Sequence, residues 1–345
     1  MSRSARISYV IIAVLLVLIG GLHMATLLLT VLFGYFALNF LSFGRSKLLG
    51  IAFYLIAVAS IGYGFIFFSR QAYIALPAIA EKTIPAVVGY AEKQGIVLPF
   101  TDYAGLKTVA LNEVQERVAN LGRYAREATL QVAMLIIGLV VALSLFINAR
   151  WEVEGDPDVV KDSLYSTVVR ELVTRVQTFY ASFAKVIGAQ IIISFINTAL
   201  TALFLLWNGY PYGTVIIVLT FLCGLLPIIG NIMSNTLIVG VGFSISPRMA
   251  LIAFIFLVLV HKLEYFLNSK IIGDRIKNPM WLTLLGLVLG EKLMGIPGMI
   301  LAPVVLHYIK VEASRSKVIE AVSAAPEPPA ATRKPQSAPP RDSHG

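Results

Sequence analysis

Charge is scarce in this chain. Asp, Glu, Lys and Arg make up 14% of its 345 residues, while 57% are hydrophobic and the mean hydropathy is +0.80. An ordinary soluble domain carries about 25% charged residues, so a soluble globular fold is excluded. Cysteine is nearly missing as well. Cys223 alone leaves no intramolecular disulfide and no cysteine-based metal cluster. The four histidines, His23, His261, His307 and His344, are scattered and form no ligand pair, so neither metal nor cofactor is expected. No Walker loop, dinucleotide-binding glycine fingerprint, HExxH pair or nucleophile elbow occurs, which argues against an enzyme and against nucleotide-driven transport. Acidic residues are the minority charge, 19 against 28 Lys+Arg, for a net +9. The basic residues sit largely at segment ends and tails, as orientation signals do, so no nucleic-acid partner is expected.

What the chain does have is long apolar runs. Residues 1–68 hold three spans. The run 7–43 is too long for one helix of about 20 residues and fits two short spans with a turn near Gly20-Gly21 and His23. The charged start and first apolar run carry no small-residue cleavage site, so an uncleaved span is expected rather than a signal peptide. Arg3 and Arg6 before this pair, and Arg45 and Lys47 after it, share one side, which the positive-inside rule places in the cytoplasm. A third span covers about 48–68. Residues 69–128 are polar, with seven Lys/Arg against six Asp/Glu, and are expected to lie outside the bilayer. Within them Leu111, Val114, Val118, Leu121, Ala125 and Ala128 recur at three- and four-residue steps, a short helical seam.

A further span covers 129–150. Asp156 before Pro157 then reads as a helix start. Tyr165, Val169, Leu172, Val176, Phe179 and Phe183 form an apolar stripe on an amphipathic cytoplasmic helix over 151–182, which feeds the next span. Residues 183–311 form the expected core, and 312–345 are a basic, Pro/Ala-rich disordered tail.

The core holds two apolar runs broken in their middles. The first is interrupted at Pro227-Ile228-Ile229-Gly230-Asn231, the second at Gly295-Ile296-Pro297-Gly298, with Pro303 further on. A bilayer gives a freed carbonyl no water, so such breaks must lie inside protein or beside a polar cavity. If both runs crossed the membrane, the loop with Lys270, Arg275 and Lys277 would fall outside. If each returns to its starting side, that loop and the tail with Lys310, Arg315 and Lys317 both fall inside, which obeys the positive-inside rule better. Re-entrant hairpins, with arms of about 14 residues or about 21 Å, are therefore expected. The fold class is an all-α polytopic membrane protein with about six full spans and two broken hairpins, about eight hydrophobic segments.

Polar residues at membrane depth usually face a bundle interior or a cavity. Gln190, Ser194, Asn197, Thr198 and Thr201 share one helix face, and His261, Glu264, Tyr265 and Asn268 share another. Asn231 and Asn235 follow the first break, and Glu291 stands beside Lys292 in the second run. Gln190, Asn197, Asn231, Asn235, His261, Glu264, Asn268 and Glu291 are the candidate pathway residues. The same stripes also suit helix–helix glue. Glu264 beside Lys262 suits snorkelling to the interface, and Glu291 suits a hydrated hairpin tip. A desolvated carboxylate such as Glu264 could carry a proton in exchange for a cation or solute.

These features resemble the autoinducer-2 exporter (AI-2E, PerM-like) family of bacterial permeases. The resemblance rests on Phe183-Ala184-Lys185-Val186-Ile187-Gly188-Ala189-Gln190, Leu226-Pro227-Ile228-Ile229-Gly230, Leu263-Glu264-Tyr265-Phe266-Leu267, Lys270-Ile271-Ile272-Gly273, Asn278-Pro279, and Gly295-Ile296-Pro297-Gly298-Met299-Ile300-Leu301-Ala302-Pro303. The chain departs from that pattern at Asn231, where many relatives have proline, and at His261-Lys262, where a glutamine is common. The resemblance implies an exporter of small polar solutes, or an antiporter of Na⁺ or Li⁺ against H⁺. It also implies a homo-oligomer, a pentamer, in the bacterial inner membrane. Both termini are expected in the cytoplasm. Rival readings are a membrane scaffold recruiting partners through 69–128 and the tail, and a passive channel.

Overall fold

The computed structural model describes residues 3–42, 46–95, 121–148, 163–226, 228–272 and 279–323. Regular structure among them is wholly helical: α1 (Arg3–Gly21), α2 (Ala25–Leu41), α3 (Lys47–Lys93), α4 (Leu121–Ile147), α5 (Leu164–Trp207), α6 (Gly213–Gly224), α7 (Ile229–Ile245), α8 (Pro247–Ile272), α9 (Met280–Met294) and α10 (Ile296–Ser323). Among the described residues five stretches are long and apolar enough to cross a membrane: Arg3–Gly21, Lys47–Lys93, Arg126–Ile147, Leu164–Trp207 and Ile296–Ser314. Helices α2, α6 and α7 are shorter and apolar. The protein is an all-α polytopic membrane protein, the form expected where lipid leaves every backbone group to be satisfied within its own segment.

The described residues up to Tyr308 form one compact body and those from Ile309 on a second. Of the second, the described part is helical, and Ser314 Oγ donates to Lys310 O.

The run 7–43 divides as expected. His23 takes φ 54, and Met24 N–H reaches back to Ile19 O at 2.9 Å, closing the turn between α1 and α2. Helix α2 then packs on α4 through glycines. A Cβ on Gly138 would lie 2.6 Å from Thr30 Cβ, and one on Gly34 would lie 2.7 Å from Ala142 Cβ. Phe33 and Phe36 of α2 meet Phe183 of α5 edge-on, with centroids 5.1 and 6.5 Å apart.

Two boundaries expected from polarity fall inside single helices. Helix α3 continues through Phe68 to Lys93 with Pro77 and Pro85 inside it, a length of about 70 Å. Ala72, Ala75 and Ile79 present one small apolar face, buried with Ile238 and Val241 of α7. Helix α5 likewise runs unbroken across Ser182–Phe183. Its described start is Ser163, whose Oγ accepts the Ser166 N–H at 3.1 Å, an N-cap. The start expected at Asp156-Pro157, and the seam residues Leu111, Val114 and Val118, lie outside the described residues. The apolar stripe on α5 is exposed at Tyr165 and Val176 and buried only at Phe183. The face turned inward instead holds Val168, Arg175, Thr178 and Ser182.

Both broken runs turn back on themselves. The end of α7 returns to the start of α6: a Cβ on Gly242 would lie 2.8 Å from Tyr210 Oη, just before α6 begins. In the second run α9 and α10 lie antiparallel about Gly295. A Cβ on Gly298 would lie 1.9 Å from Gly290 O, and one on Gly286 would lie 3.8 Å from Ala302 Cβ. The arms are unequal, though. Helix α9 has 15 residues, about 22 Å and short of a bilayer core, whereas α10 continues through Pro303.

Candidate functional site

The site begins at the break between α6 and α7. Leu226 N–H donates to Cys223 O at 2.8 Å, and Gly230 N–H crosses the break to Leu226 O at 3.2 Å. Between them Ile228 takes φ 64 and ψ −61, the positive-φ γ-turn region, which is rare and strained for a β-branched residue. The turn needs glycine beside it. A Cβ on Gly230 would stand 1.6 Å from Cys223 O. Pro227 lies outside the described residues. Ile228 packs against Leu287, Met299 and Ala302, so the tip of the first hairpin rests on the second.

Ending α6 in mid-body frees its last carbonyls, which would be costly without partners. Helix α5 supplies them. Gln190 Nε2 donates to Gly224 O at 2.6 Å, and Ser194 Oγ donates to Phe221 O at 2.9 Å. These two residues of the expected pathway stripe thus hold the broken helix in place.

One turn further along α5 the role changes. Asn197 Nδ2 donates to Glu264 Oε2 at 3.0 Å. From the other side Asn231 Nδ2, one residue past Gly230, spans both carboxylate oxygens at 3.0 and 2.9 Å. The side chain of Glu264 is 14% exposed and Asn197 is buried. Three helices, α5, α7 and α8, therefore converge on one carboxylate at the tip of the first hairpin. All three bonds come from amide N–H donors, the arrangement that suits an ionised, acceptor-only carboxylate. Asn197 Oδ1 is buried without a hydrogen-bond partner among the described residues.

The other expected residues sit around this cluster or away from it. His261 is 68% exposed, with Nδ1 3.9 Å from Glu264 Oε2, close enough to feel its charge and too far for a hydrogen bond. Asn235 lies one turn beyond Asn231, half-buried. Asn268 lies one turn beyond Glu264, with its side chain outside the described residues. Glu291 pairs with Lys292 at 3.5 Å, and its carbonyl accepts the Gly295 N–H at 2.7 Å. It belongs to the tip of the second hairpin, and no described contact joins it to Glu264. Gly295 turns that tip at φ 64. Pro297 falls in the first turn of α10, where its missing N–H costs nothing, and Pro303 is inside α10. Sequence periodicity did not single out Ile228; an apolar residue between Pro227 and Ile229 gives no signal of its own.

A multi-pass helical membrane protein with a polar cluster gathered at a helix break has the form of a membrane transporter. The chain belongs to the AI-2E family of transporters, whose family model matches residues 3–314. It is also similar to the Bacillus subtilis (strain 168) protein named "Putative transport protein YdbI", at 29% identity over 125 residues. That match spans 36% of this chain and 36% of the relative.

Proposed function

We propose that this protein is a secondary transporter in which the Glu264 carboxylate carries the coupling ion. The single observation behind the reading is the partly buried carboxylate held by Asn197 and Asn231 at the first hairpin tip. An ionised Glu264 accepts from both amides and attracts a cation. A proton on Glu264 must be donated to an acceptor, and every described amide bond points the other way. Rotation of Asn197, which brings its unpartnered Oδ1 towards the carboxyl, supplies that acceptor. The site then has two states, one for H⁺ and one for Na⁺ or Li⁺, and proton and cation compete for one carboxylate. A small polar solute exported against one of these ions is the other form of the same reading. Asn235, His261 and Asn268 would line its path.

Family likeness supports a homo-oligomer, five copies, in a bacterial inner membrane. The positive-inside pattern supports cytoplasmic termini.

The test is ion flux in liposomes loaded with a pH-sensitive dye, under an imposed sodium or lithium gradient. Wild type should move protons and Glu264→Gln should not, while both assemble alike. Equal flux in the two would remove Glu264 from the mechanism. No flux in either would exclude cation exchange and leave solute export, read next by labelled-solute uptake.

A further inference from the structure

A second site lies between α1, α2 and α5. A cavity of about 320 Å³ runs along one face of α1 (Ile12, Leu16, Ile19) and one face of α2 (Leu28, Leu32), closed at one end by Arg175 of α5. Its wall is otherwise almost wholly apolar. The outer face of α1 is exposed at Val10, Val14 and Val17, and Leu15, which also lines the cavity, is 52% exposed. Leu15 thus joins the cavity wall to the exposed face of α1.

Its two ends differ in chemistry. Arg175 is 5% exposed, pairs with Glu171 one turn earlier, and lies 4.0 Å over the Tyr9 ring. That contact fixes the direction of α1 along the cavity. Arg6 and Arg3, both exposed, stand one and two turns beyond Tyr9, on the side away from Ile19. The Arg175–Glu171 pair is balanced, and α1 adds the exposed Arg3 and Arg6 with no acidic residue along its length. Arg175 precedes the buried Phe183 by eight residues, about 12 Å along the helix.

We propose that this cavity holds an acyl chain of an anionic phospholipid, its phosphate at the Arg3, Arg6 and Arg175 end. Water does not fill an apolar cavity, and the medium beside an exposed apolar transmembrane helix is hydrocarbon. The cationic mouth selects an anionic headgroup over a zwitterionic one. The bound chain takes the place of missing protein between α1 and α2, so the lipid stabilises the N-terminal helices against α5.

The full chain, delipidated in detergent, is titrated with phosphatidylglycerol or phosphatidylcholine. Bound lipid is counted by native mass spectrometry and thermal unfolding is followed in parallel. Wild type should retain phosphatidylglycerol at least tenfold more tightly than phosphatidylcholine and unfold at a higher temperature with it. Val31→Phe, which fills the cavity, should lose both effects. The double variant Arg3→Gln/Arg6→Gln should bind the two lipids alike. Equal retention of both lipids by wild type, or full retention by Val31→Phe, would overturn the proposal. So would a change of oligomer size in Val31→Phe, which would give the cavity to a second copy of the chain. Neither variant removes the Arg175–Glu171 pair, so both are expected to fold.

Discussion

Gly230→Ala tests the hairpin tip with the smallest possible change. The added methyl would begin 1.6 Å from Cys223 O and 2.5 Å from Cys223 C, both backbone atoms that no rotamer change relieves. Ordinary C···O contacts lie at about 3.3–3.6 Å, so α6 and α7 must separate by roughly 1.5–2 Å. Asn231 is the next residue, and its bonds to Glu264 are 3.0 and 2.9 Å long. The same displacement carries both past hydrogen-bonding range. Hydrogen bonds to a charged group are worth about 1.5–3 kcal/mol each. Water entering the widened tip offsets part of that, leaving a net loss of about 2 kcal/mol, or roughly thirtyfold in ion occupancy. Two readouts follow. Ion flux in liposomes should fall at least tenfold, and Cys223, the chain's lone cysteine and buried beside the break, should react faster with a membrane-permeant maleimide. Gly62→Ala and Gly64→Ala, where a Cβ meets nothing within 4 Å, should leave both readouts unchanged. Wild-type flux and wild-type labelling in Gly230→Ala would refute the close crossing of α6 and α7.

The return of the second run predicts a disulfide: with Cys223→Ser as background, Gly286→Cys and Ala302→Cys should oxidise to one, because the relevant atoms lie 3.8 Å apart, close to the mean Cβ separation of a disulfide. Free-thiol counting with a maleimide-polymer gel shift reads it, and two persistent thiols would mean that α9 and α10 do not fold back. Gly138→Ala, overpacked against Thr30, should lower the unfolding temperature in detergent by the equivalent of about 1–3 kcal/mol. Gly188→Ala, whose nearest neighbour is Phe36 at 3.8 Å, should change it little; equal effects would show that α2 and α4 are not in glycine contact.

Much of this architecture was legible because bilayer chemistry writes it in punctuation. Proline and glycine at 227–230 and 295–298 marked two breaks, and polar spacing put Asn197 and Glu264 on interior faces. What spacing cannot show is which partner each polar group finds. Gln190 and Asn197 lie on one stripe, seven residues apart, yet one holds a severed helix end and the other a carboxylate. The same limit hid Ile228, whose importance lies in a strained dihedral and a contact 59 residues on, at Leu287. Polarity marks a span over about 48–68 and a polar insert after it, but it does not show that one helix, Lys47–Lys93, carries both through Pro77 and Pro85. Burial by neighbouring helices supports a proline-bearing helix that its own sequence would discourage. Pro303 in α10 follows the same rule.

The two prolines of α3 divide that helix mechanically. Its first half, around Tyr54, packs with Leu38 of α2 and Ala142 and Phe146 of α4 and keeps its full ladder of backbone bonds. Its second half lies along the first hairpin, with Thr83 against Gly240 and Tyr90 against Phe243, and there Pro77 and Pro85 each delete one rung. Bending stiffness is therefore graded along a single rod, firm where it is rooted among α2 and α4 and compliant where it lies along the first hairpin. A strain set up at Glu264 meets a soft beam on that side and a rigid footing beyond it.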